Sequence, residues 1–207
     1  MLSDQDTNML KQQLGRIPRG VLAVIVRSSE DAPVVIVNYP LHHCCEGRDS
    51  GEGKGGGIQG EGGERLVPFP TLYWLTNPRL NNTLADMERL GVIDDIQNQI
   101  NANHQLEHQV ANDHRAYIEQ RWKQLTKGDQ EKIQKSPAML ETLRTRGIGG
   151  ISNFLTVKCL HLHYAHHLAT LCMNPNDPSP GTAVGRLIEQ ANPELLKIRQ
   201  SFKFGNN

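Results

Sequence analysis

VLAVIVRSSEDAPVVIV, residues 21–37, is the stretch that decides the fold. It contains two runs of mainly β-branched residues, 21–26 and 33–37, separated by a short polar link. Because β-branched residues favour strands, two such runs around a short link predict a β-hairpin. The run TLYWL at residues 71–75 follows two prolines and stops at Asn77-Pro78. We expect it to form a third strand of the same small sheet.

From residue 79 onward, apolar residues recur every three or four positions, which predicts helices. The expected helices cover about 80–90, 93–125, 130–146, 153–172 and 182–190. Asn101 and Asn103 could interrupt the second of them, and Ser136-Pro137 could break or restart the third. Strands followed by helices predict an α+β fold, in which about four or five helices pack against a small antiparallel sheet of about three strands.

A chain of 207 residues is long enough for one compact domain. We assign residues 12–192 to a single α+β domain, 1–11 to a polar N-terminal tail and 193–207 to a C-terminal tail. Residues 46–64 contain nine glycines interleaved with charged residues. This segment cannot bury enough apolar surface to offset the entropy of ordering it, so we expect a flexible insertion.

The charge balance narrows the range of partners. The chain has 22 basic and 22 acidic residues, and a nucleic-acid-binding protein normally has a basic excess. No apolar run is long enough to span a bilayer, and the N-terminus lacks the pattern of a signal or transit peptide. We therefore expect a cytosolic protein with four reduced cysteines, no nucleic-acid partner and no membrane partner. A small anionic ligand or a protein partner remains open.

The helix predicted over residues 153–172 has a polar strip between two apolar flanks. Cys159, His163 and His166 lie on this strip at spacings of four and three residues, which bring side chains together. A thiolate and two imidazoles could hold zinc or another divalent metal, with a further ligand from elsewhere or from water. The alternative is an exposed histidine-rich strip. If the helix begins only at about Leu160, Cys159 could turn away from the other two.

The long helix after residue 93 carries a second group of polar residues on a core-facing stripe. His114, Tyr117 and Arg121 lie on it, and such groups are costly to bury without partners. Arg121 could bind a phosphate or carboxylate with two parallel hydrogen bonds, and His114 could act as an acid or base. The alternative is a structural hydrogen-bond network.

Three further residues near the strands are candidate ligand-binding groups. Arg19 precedes the first strand and could line an anion site or simply be solvated. Thr71 and Tyr73 alternate with Leu72 on the third strand, so they share one face.

Four stretches of the chain are informative when they are taken together. They are Gln13–Arg16 with Pro18–Val21, the segment PFPTLYWLT at residues 68–76 with Pro78, the trio His114, Tyr117 and Arg121, and VKCLH at residues 157–161 with Ala165 and His166. In their order and approximate spacing, across about residues 12 to 190, they resemble a bacterial family called domain of unknown function 501. The resemblance implies an architecture and candidate residues, among them Cys159, His161 and His166, but no reaction.

The chain departs from this family in three places. Relatives tend to carry a cysteine after the first strand and a glycine in the hairpin, where this chain has Ser28 and Asp31. Relatives also have a short turn where this chain has the glycine-rich insertion. The missing cysteine makes a thiol-dependent function at that position doubtful.

The leading hypothesis is a small cytosolic enzyme or ligand-binding protein with a shared pocket between two helices. In it, Cys159, His161 and His166 meet His114, Tyr117 and Arg121 around a divalent metal or an anionic ligand. The candidate catalytic residues are His114, Tyr117, His161 and His166, and hydrolysis of a phosphorylated small molecule is the first reaction class to test. The alternative is a non-enzymatic adaptor whose polar residues fix the helix arrangement. The first hypothesis requires the two helices to bring their side chains together.

Overall fold

The computed structural model describes residues 2–44, 57–59, 65–174 and 181–204. The strands are β1 (Val21–Arg27), β2 (Pro33–Asn38), β3 (Leu41–Cys44), β4 (Ile58–Gln59), β5 (Arg65–Pro68), β6 (Tyr73–Leu75) and β7 (Lys203–Phe204). The helices are α1 (Asp4–Leu14), α2 (Pro78–Arg89), α3 (Val92–Asn101), α4 (His104–Lys123), α5 (Lys127–Gln134), α6 (Pro137–Thr145), α7 (Leu160–Met173), α8 (Ala183–Ala191) and α9 (Pro193–Gln200). The α+β fold class is confirmed.

The predicted hairpin, β1 and β2, forms the centre of the main sheet, and the predicted third strand, β6, lies at the edge beside β2. Its strand order is β6-β2-β1-β7, and the paired strands are antiparallel. All six residues of β2 are buried, as expected for a central strand. In the hairpin link, Asp31 adopts a left-handed φ of 67°. Aspartate tolerates this conformation better than most residues, and its carbonyl accepts a hydrogen bond from the Arg27 guanidinium.

The main hydrophobic core lies between this sheet and α7. It contains buried residues of β2 and β6 together with Leu160, Tyr164, Leu168 and Leu171 of α7. Helices α2, α3, α4, α8 and α9 contribute further buried residues to the same core. Within the described ranges, no helix is long and apolar enough to cross a membrane.

A second, smaller sheet has the order β3-β5-β4. Its residue Leu41 packs with Leu125, Ile133, Met139 and Leu143 of the α4–α6 region in a separate small core. The predicted flexible insertion, residues 46–64, lies outside the described residues except for 57–59. Within that part, Ile58 and Gln59 pair with β5, so they are in a strand rather than a structureless loop.

The polar segments at the two ends of the domain contain regular structure. Helix α1 begins at an N-cap formed by Ser3, and its Asp6 makes a two-point ion pair with Arg27 of β1. Helix α9 buries Leu195, and β7 adds an edge strand beside β1. The few apolar residues in these segments do not predict elements on their own. Tertiary contacts stabilise them instead.

Helix α7 begins at Leu160, seven residues after the start that we expected at 153. The preceding segment, residues 151–159, is not helical, and the side-chain amide of Gln97 binds its backbone at two places. Gln97 Nε2 donates to the Leu155 carbonyl at 2.6 Å, and the Val157 N–H donates to Gln97 Oε1 at 3.0 Å. Cys159 is therefore the extended N-cap residue, with φ −155° and ψ 121°. This change decides where its thiol lies.

Candidate functional site

Of the three side chains expected to meet His114, Tyr117 and Arg121, only His166 does so, and His163 joins it, whereas Cys159 and His161 lie beside Glu88 of α2. The ring of His114 lies 5.5 Å from that of His163, and the ring of Tyr117 lies 5.0 Å from that of His166. Tyr73 of β6 stacks on His166 at 5.9 Å. We call His114, His163 and His166 the histidine cluster. Their exposed fractions are 0%, 3% and 1%, so the cluster is part of the core.

Burial keeps the histidine cluster neutral. It lowers the pKa of His114 to about 4, and burial followed by the nearby His114 lowers that of His163 to about 3. Burial lowers the pKa of His166 well below its ordinary value, and the neighbouring histidines add to this effect. A ring that does not accept a proton near neutral pH is poorly suited to acid–base exchange there. The catalytic roles predicted for His114 and His166 therefore gain no support from their surroundings.

His114 holds the turn between α6 and α7. Its Nδ1 accepts a hydrogen bond of 3.0 Å from the Ile148 N–H, and its ring stacks on Phe154 at 5.0 Å. A Cβ at Gly147 would lie 2.4 Å from the same nitrogen, so only glycine fits at that position. These contacts explain a buried histidine here without a ligand.

Tyr117 and Arg121 hold other segments in the same way. The Tyr117 hydroxyl accepts from the Leu72 N–H at 2.6 Å and donates to the Pro70 carbonyl at 3.3 Å. Arg121 is 0% exposed, and its pKa is lowered by burial to about 10, so it remains a cation at neutral pH. Its guanidinium donates to the backbone carbonyls of Pro70, Thr142, Leu143 and Arg146.

Three of the carbonyls bound by Arg121 belong to the C-terminal end of α6, where helix carbonyls lack partners and the helix dipole is negative. Arg121 is thus a buried helix cap, and its donors are engaged within the fold. The alternative of a structural network accounts for His114, Tyr117 and Arg121. The anion clamp predicted for Arg121 has no support in these contacts.

A different group of side chains gathers at the N-terminus of α7. Cys159 Sγ lies 3.8 Å from His161 Nδ1, and Glu88 Oε1 lies 3.1 Å from the same nitrogen. His161 Nε2 lies 3.0 Å from the Asn81 carbonyl oxygen. One ligand atom from each of Glu88, Cys159 and His161 lies within 4.8 Å of the other two, which is close enough for the three to share a metal ion. We call Glu88, Cys159 and His161 the Cys-His-Glu site.

The Cys-His-Glu site is fixed by two helices and remains accessible. Glu88 comes from the last turn of α2, and its Oε1 accepts the Leu160 N–H of α7 at 2.6 Å. The side chains of His161 and Glu88 are 26% and 27% exposed, and Cys159 is partly exposed. The Cys159 side chain, and after it the Asn81 carbonyl and Glu88, raise the pKa of His161 to about 9 against the effect of burial.

The predicted metal ligands are therefore divided between two places. Cys159 pairs with His161 and Glu88, whereas His163 and His166 lie in the buried histidine cluster. The resemblance pointed to both Cys159 and His161, while the helical spacing pointed to His163. Glu88 was missed because it is one of several charged residues on an ordinary amphipathic helix. Because α7 begins at Leu160, Cys159 lies outside the helix and turns away from His163 and His166, as the sequence predicts for a helix start at this residue.

Of the remaining candidate residues, Tyr73 contacts the histidine cluster by stacking on His166, whereas Arg19 and Thr71 lie elsewhere. Arg19 is exposed and lies beside His42, whose pKa is lowered first by burial and then by the Arg19 charge. Thr71 is partly buried in the segment held by Tyr117. Tyr73 is buried, and its hydroxyl lies 3.3 Å from Gln120 Oε1.

The neutral histidine cluster makes stability depend on pH. Below its ordinary pKa of 6.5, His114 takes up a proton in the unfolded chain, whereas the folded chain resists protonation until about pH 4. Stability is therefore full above pH 6.5 and falls as the pH is lowered towards 4, by up to about 3 kcal/mol for this ring. His114→Asn keeps an acceptor for the Ile148 N–H and removes the titration. In urea unfolding between pH 6.5 and 4, the free energy of unfolding should fall less steeply with pH for this variant than for wild type. An equally steep fall in both proteins would contradict the assignment.

Comparison with known families, curated proteins and solved structures gives one match. The model of the family described as "Protein of unknown function (DUF501)" matches residues 24–178. No curated protein and no solved structure matches the chain. The matched region contains Glu88, the histidine cluster, Tyr117, Arg121, Cys159 and His161, and it covers most of the chain. The chain belongs to the domain of unknown function 501 family.

Proposed function

We propose that the protein binds a single zinc-class metal ion at the Cys-His-Glu site. The observation that carries this proposal is the convergence of a thiol sulfur, an imidazole nitrogen and a carboxylate oxygen within 4.8 Å. Thiolate, imidazole and carboxylate are the three side-chain ligand types that zinc takes in proteins. Two zinc ligands at about 2.0–2.3 Å from the ion in a tetrahedral arrangement lie roughly 3–4 Å apart. The separations of 3.1 Å and 3.8 Å at His161 Nδ1 fit this arrangement.

The outer contacts of His161 support the same proposal. A metal-binding histidine commonly donates its second ring N–H to a carbonyl or carboxylate, which fixes the orientation of the ring. His161 has this arrangement, because Nε2 faces the Asn81 carbonyl at 3.0 Å while Nδ1 faces Cys159 and Glu88. The backbone of α2 and the side chain of Glu88 therefore hold the imidazole ready for an ion.

Three ligands at a partly exposed position favour a reactive site over a purely structural one. Structural zinc sites usually have four protein ligands, whereas catalytic sites have three and keep a position for water or substrate. An ion here would act as a Lewis acid and lower the pKa of its bound water. We therefore propose metal-dependent catalysis, such as hydrolysis, or metal-dependent ligand binding. His114, Tyr117 and Arg121 bind backbone groups of the same chain, and this structural role is compatible both with the metal-dependent function and with the alternative, a non-enzymatic adaptor.

Metal analysis tests the proposal directly. Protein freed of any histidine tag should contain about one zinc per chain, and Cys159→Ser or His161→Asn should lower the affinity by more than about 100-fold. Cobalt substitution should give a thiolate charge-transfer band that Cys159→Ser removes. Cys172→Ser is the matched control, since that thiol lies near the Ile25 carbonyl and away from the Cys-His-Glu site.

The variants remain informative if one of them folds poorly, because Cys159 and His161 are both partly exposed and can be changed separately. Circular dichroism should show that each variant keeps its helices. Folded wild-type protein that takes up neither zinc nor cobalt would refute metal binding and favour the adaptor alternative. Metal uptake that survives both substitutions would show that the ion binds elsewhere.

A further inference from the structure

We infer that the histidine cluster encloses ordered water, which completes the hydrogen bonding of the core between α4 and α7. Four ring nitrogens point to this: Nε2 of His114, Nε2 of His163, and both nitrogens of His166. All four are buried, and no group in the described part of the chain lies in hydrogen-bonding position to any of them. Native proteins satisfy nearly all of their buried polar atoms, either within the chain or with ordered water.

The contacts of His114 determine what the occupant must offer. Its Nδ1 accepts the Ile148 N–H, so the proton of the neutral ring is on Nε2. That buried nitrogen is therefore a hydrogen-bond donor, and a metal cation cannot bind it while the proton is there. The occupant next to His114 must accept a hydrogen bond.

His166 adds a second requirement. In either tautomer, a neutral imidazole presents one donor and one acceptor, and both nitrogens of His166 lack a partner in the described chain. The occupant must thus donate as well as accept. Water does both without adding charge, whereas an anion would meet only neutral rings. Typical buried waters make about three hydrogen bonds to otherwise unsatisfied polar groups.

Aromatic side chains surround the cluster. Phe154 stacks on His114 at 5.0 Å, and His166 lies between Tyr73 and Tyr117 at ring distances of 5.9 Å and 5.0 Å. These rings would separate the enclosed water from bulk solvent and slow its exchange. The inference is independent of the metal site, since none of the zinc ligands belongs to the cluster.

His166→Phe distinguishes a hydrated cluster from a dry one by the sign of a thermal shift. Phenylalanine has a similar shape but no hydrogen-bonding atoms, so it should lower Tm by several degrees if His166 binds water, roughly 2–4 °C or more. If the nitrogens were dry, the same change would remove unsatisfied polar atoms and Tm would rise or stay unchanged. A Tm that rises or stays unchanged would overturn the inference.

A direct measurement guards against an effect of packing alone. In nuclear Overhauser experiments, wild-type protein should show cross-peaks from long-lived water to the ring protons of His114 or His166, and these should be lost in His166→Phe. Native mass spectrometry checks the occupant. A copurified organic molecule or ion that disappears with His166→Phe would replace water as the ligand and refute the inference.

Discussion

Replacing Arg121 by methionine should lower the free energy of unfolding by about 3–5 kcal/mol. Methionine fills a similar volume but donates no hydrogen bonds. The change would leave the buried carbonyl of Leu143 and the partly buried carbonyl of Arg146 without their guanidinium partner. The Pro70 carbonyl accepts hydrogen bonds from both Arg121 and Tyr117, and it would lose the one from Arg121. The measurement is urea unfolding, with the midpoint compared at constant slope.

Arg144→Met is the matched control for this experiment. Arg144 lies on the neighbouring surface, where it pairs with Glu119 at 2.9 Å and its side chain is 36% exposed. Exposed ion pairs contribute little, so this variant should change stability by less than about 1 kcal/mol. Equal effects of the two substitutions would show that Arg121 is not a buried cap. A ligand-binding role would instead predict a stable protein that has lost its ligand.

The sheet could be predicted from the sequence because its signals are local. The β-branched runs of the hairpin and the TLYWL strand identify themselves within a few residues, and their pairing follows from the short link. The breaks between α3 and α4 and between α5 and α6 follow from asparagine caps and Ser136-Pro137 for the same reason. Helices α1 and α9 depend on contacts distant in sequence, such as Asp6 with Arg27, and periodicity alone did not reveal them.

The candidate site illustrates the limit of helical spacing. Cys159 and His163 are four residues apart, a spacing that brings them together only if both lie in the helix. Whether Cys159 does so is decided by Gln97, which binds the segment before it and is about sixty residues away in the sequence. Glu88 comes from a third element. No pattern within α7 could have identified either contribution.

The first turn of α7 therefore differs in chemistry from the turns that follow it. Its first turn presents Cys159 and His161 at an accessible position beside Glu88, whereas the next turns bury His163 and His166 against α4. The residues that carry the family resemblance fall into both groups. The contacts of His114, Tyr117 and Arg121 give these three residues a role in folding, and the proposed metal site would give Cys159 and His161 a role in function.

Helix α8 packs so closely on α7 that adding one methyl group at Gly185 should push the two helices apart. A Cβ at Gly185 would lie 2.1 Å from His167 Cγ and 2.4 Å from His167 Cβ. Rotation of the imidazole cannot relieve the contact with Cβ, because that atom is fixed to the backbone of α7. The helices would have to move apart. His167 also accepts the Thr182 N–H at 2.9 Å and faces Glu189 at 3.4 Å, so the movement would disturb both contacts.

Gly185→Ala should accordingly lower the free energy of unfolding by about 3 kcal/mol, although alanine favours a helix over glycine by up to about 1 kcal/mol. Gly128→Ala provides the control, because Gly128 lies in α5 with nothing within 4 Å of the added Cβ. That variant should be more stable than wild type by roughly 0.5–1 kcal/mol. Opposite shifts in the thermal midpoint support the close packing of α8 on α7 at His167. Two stabilised variants would mean that the helices can accommodate the methyl group.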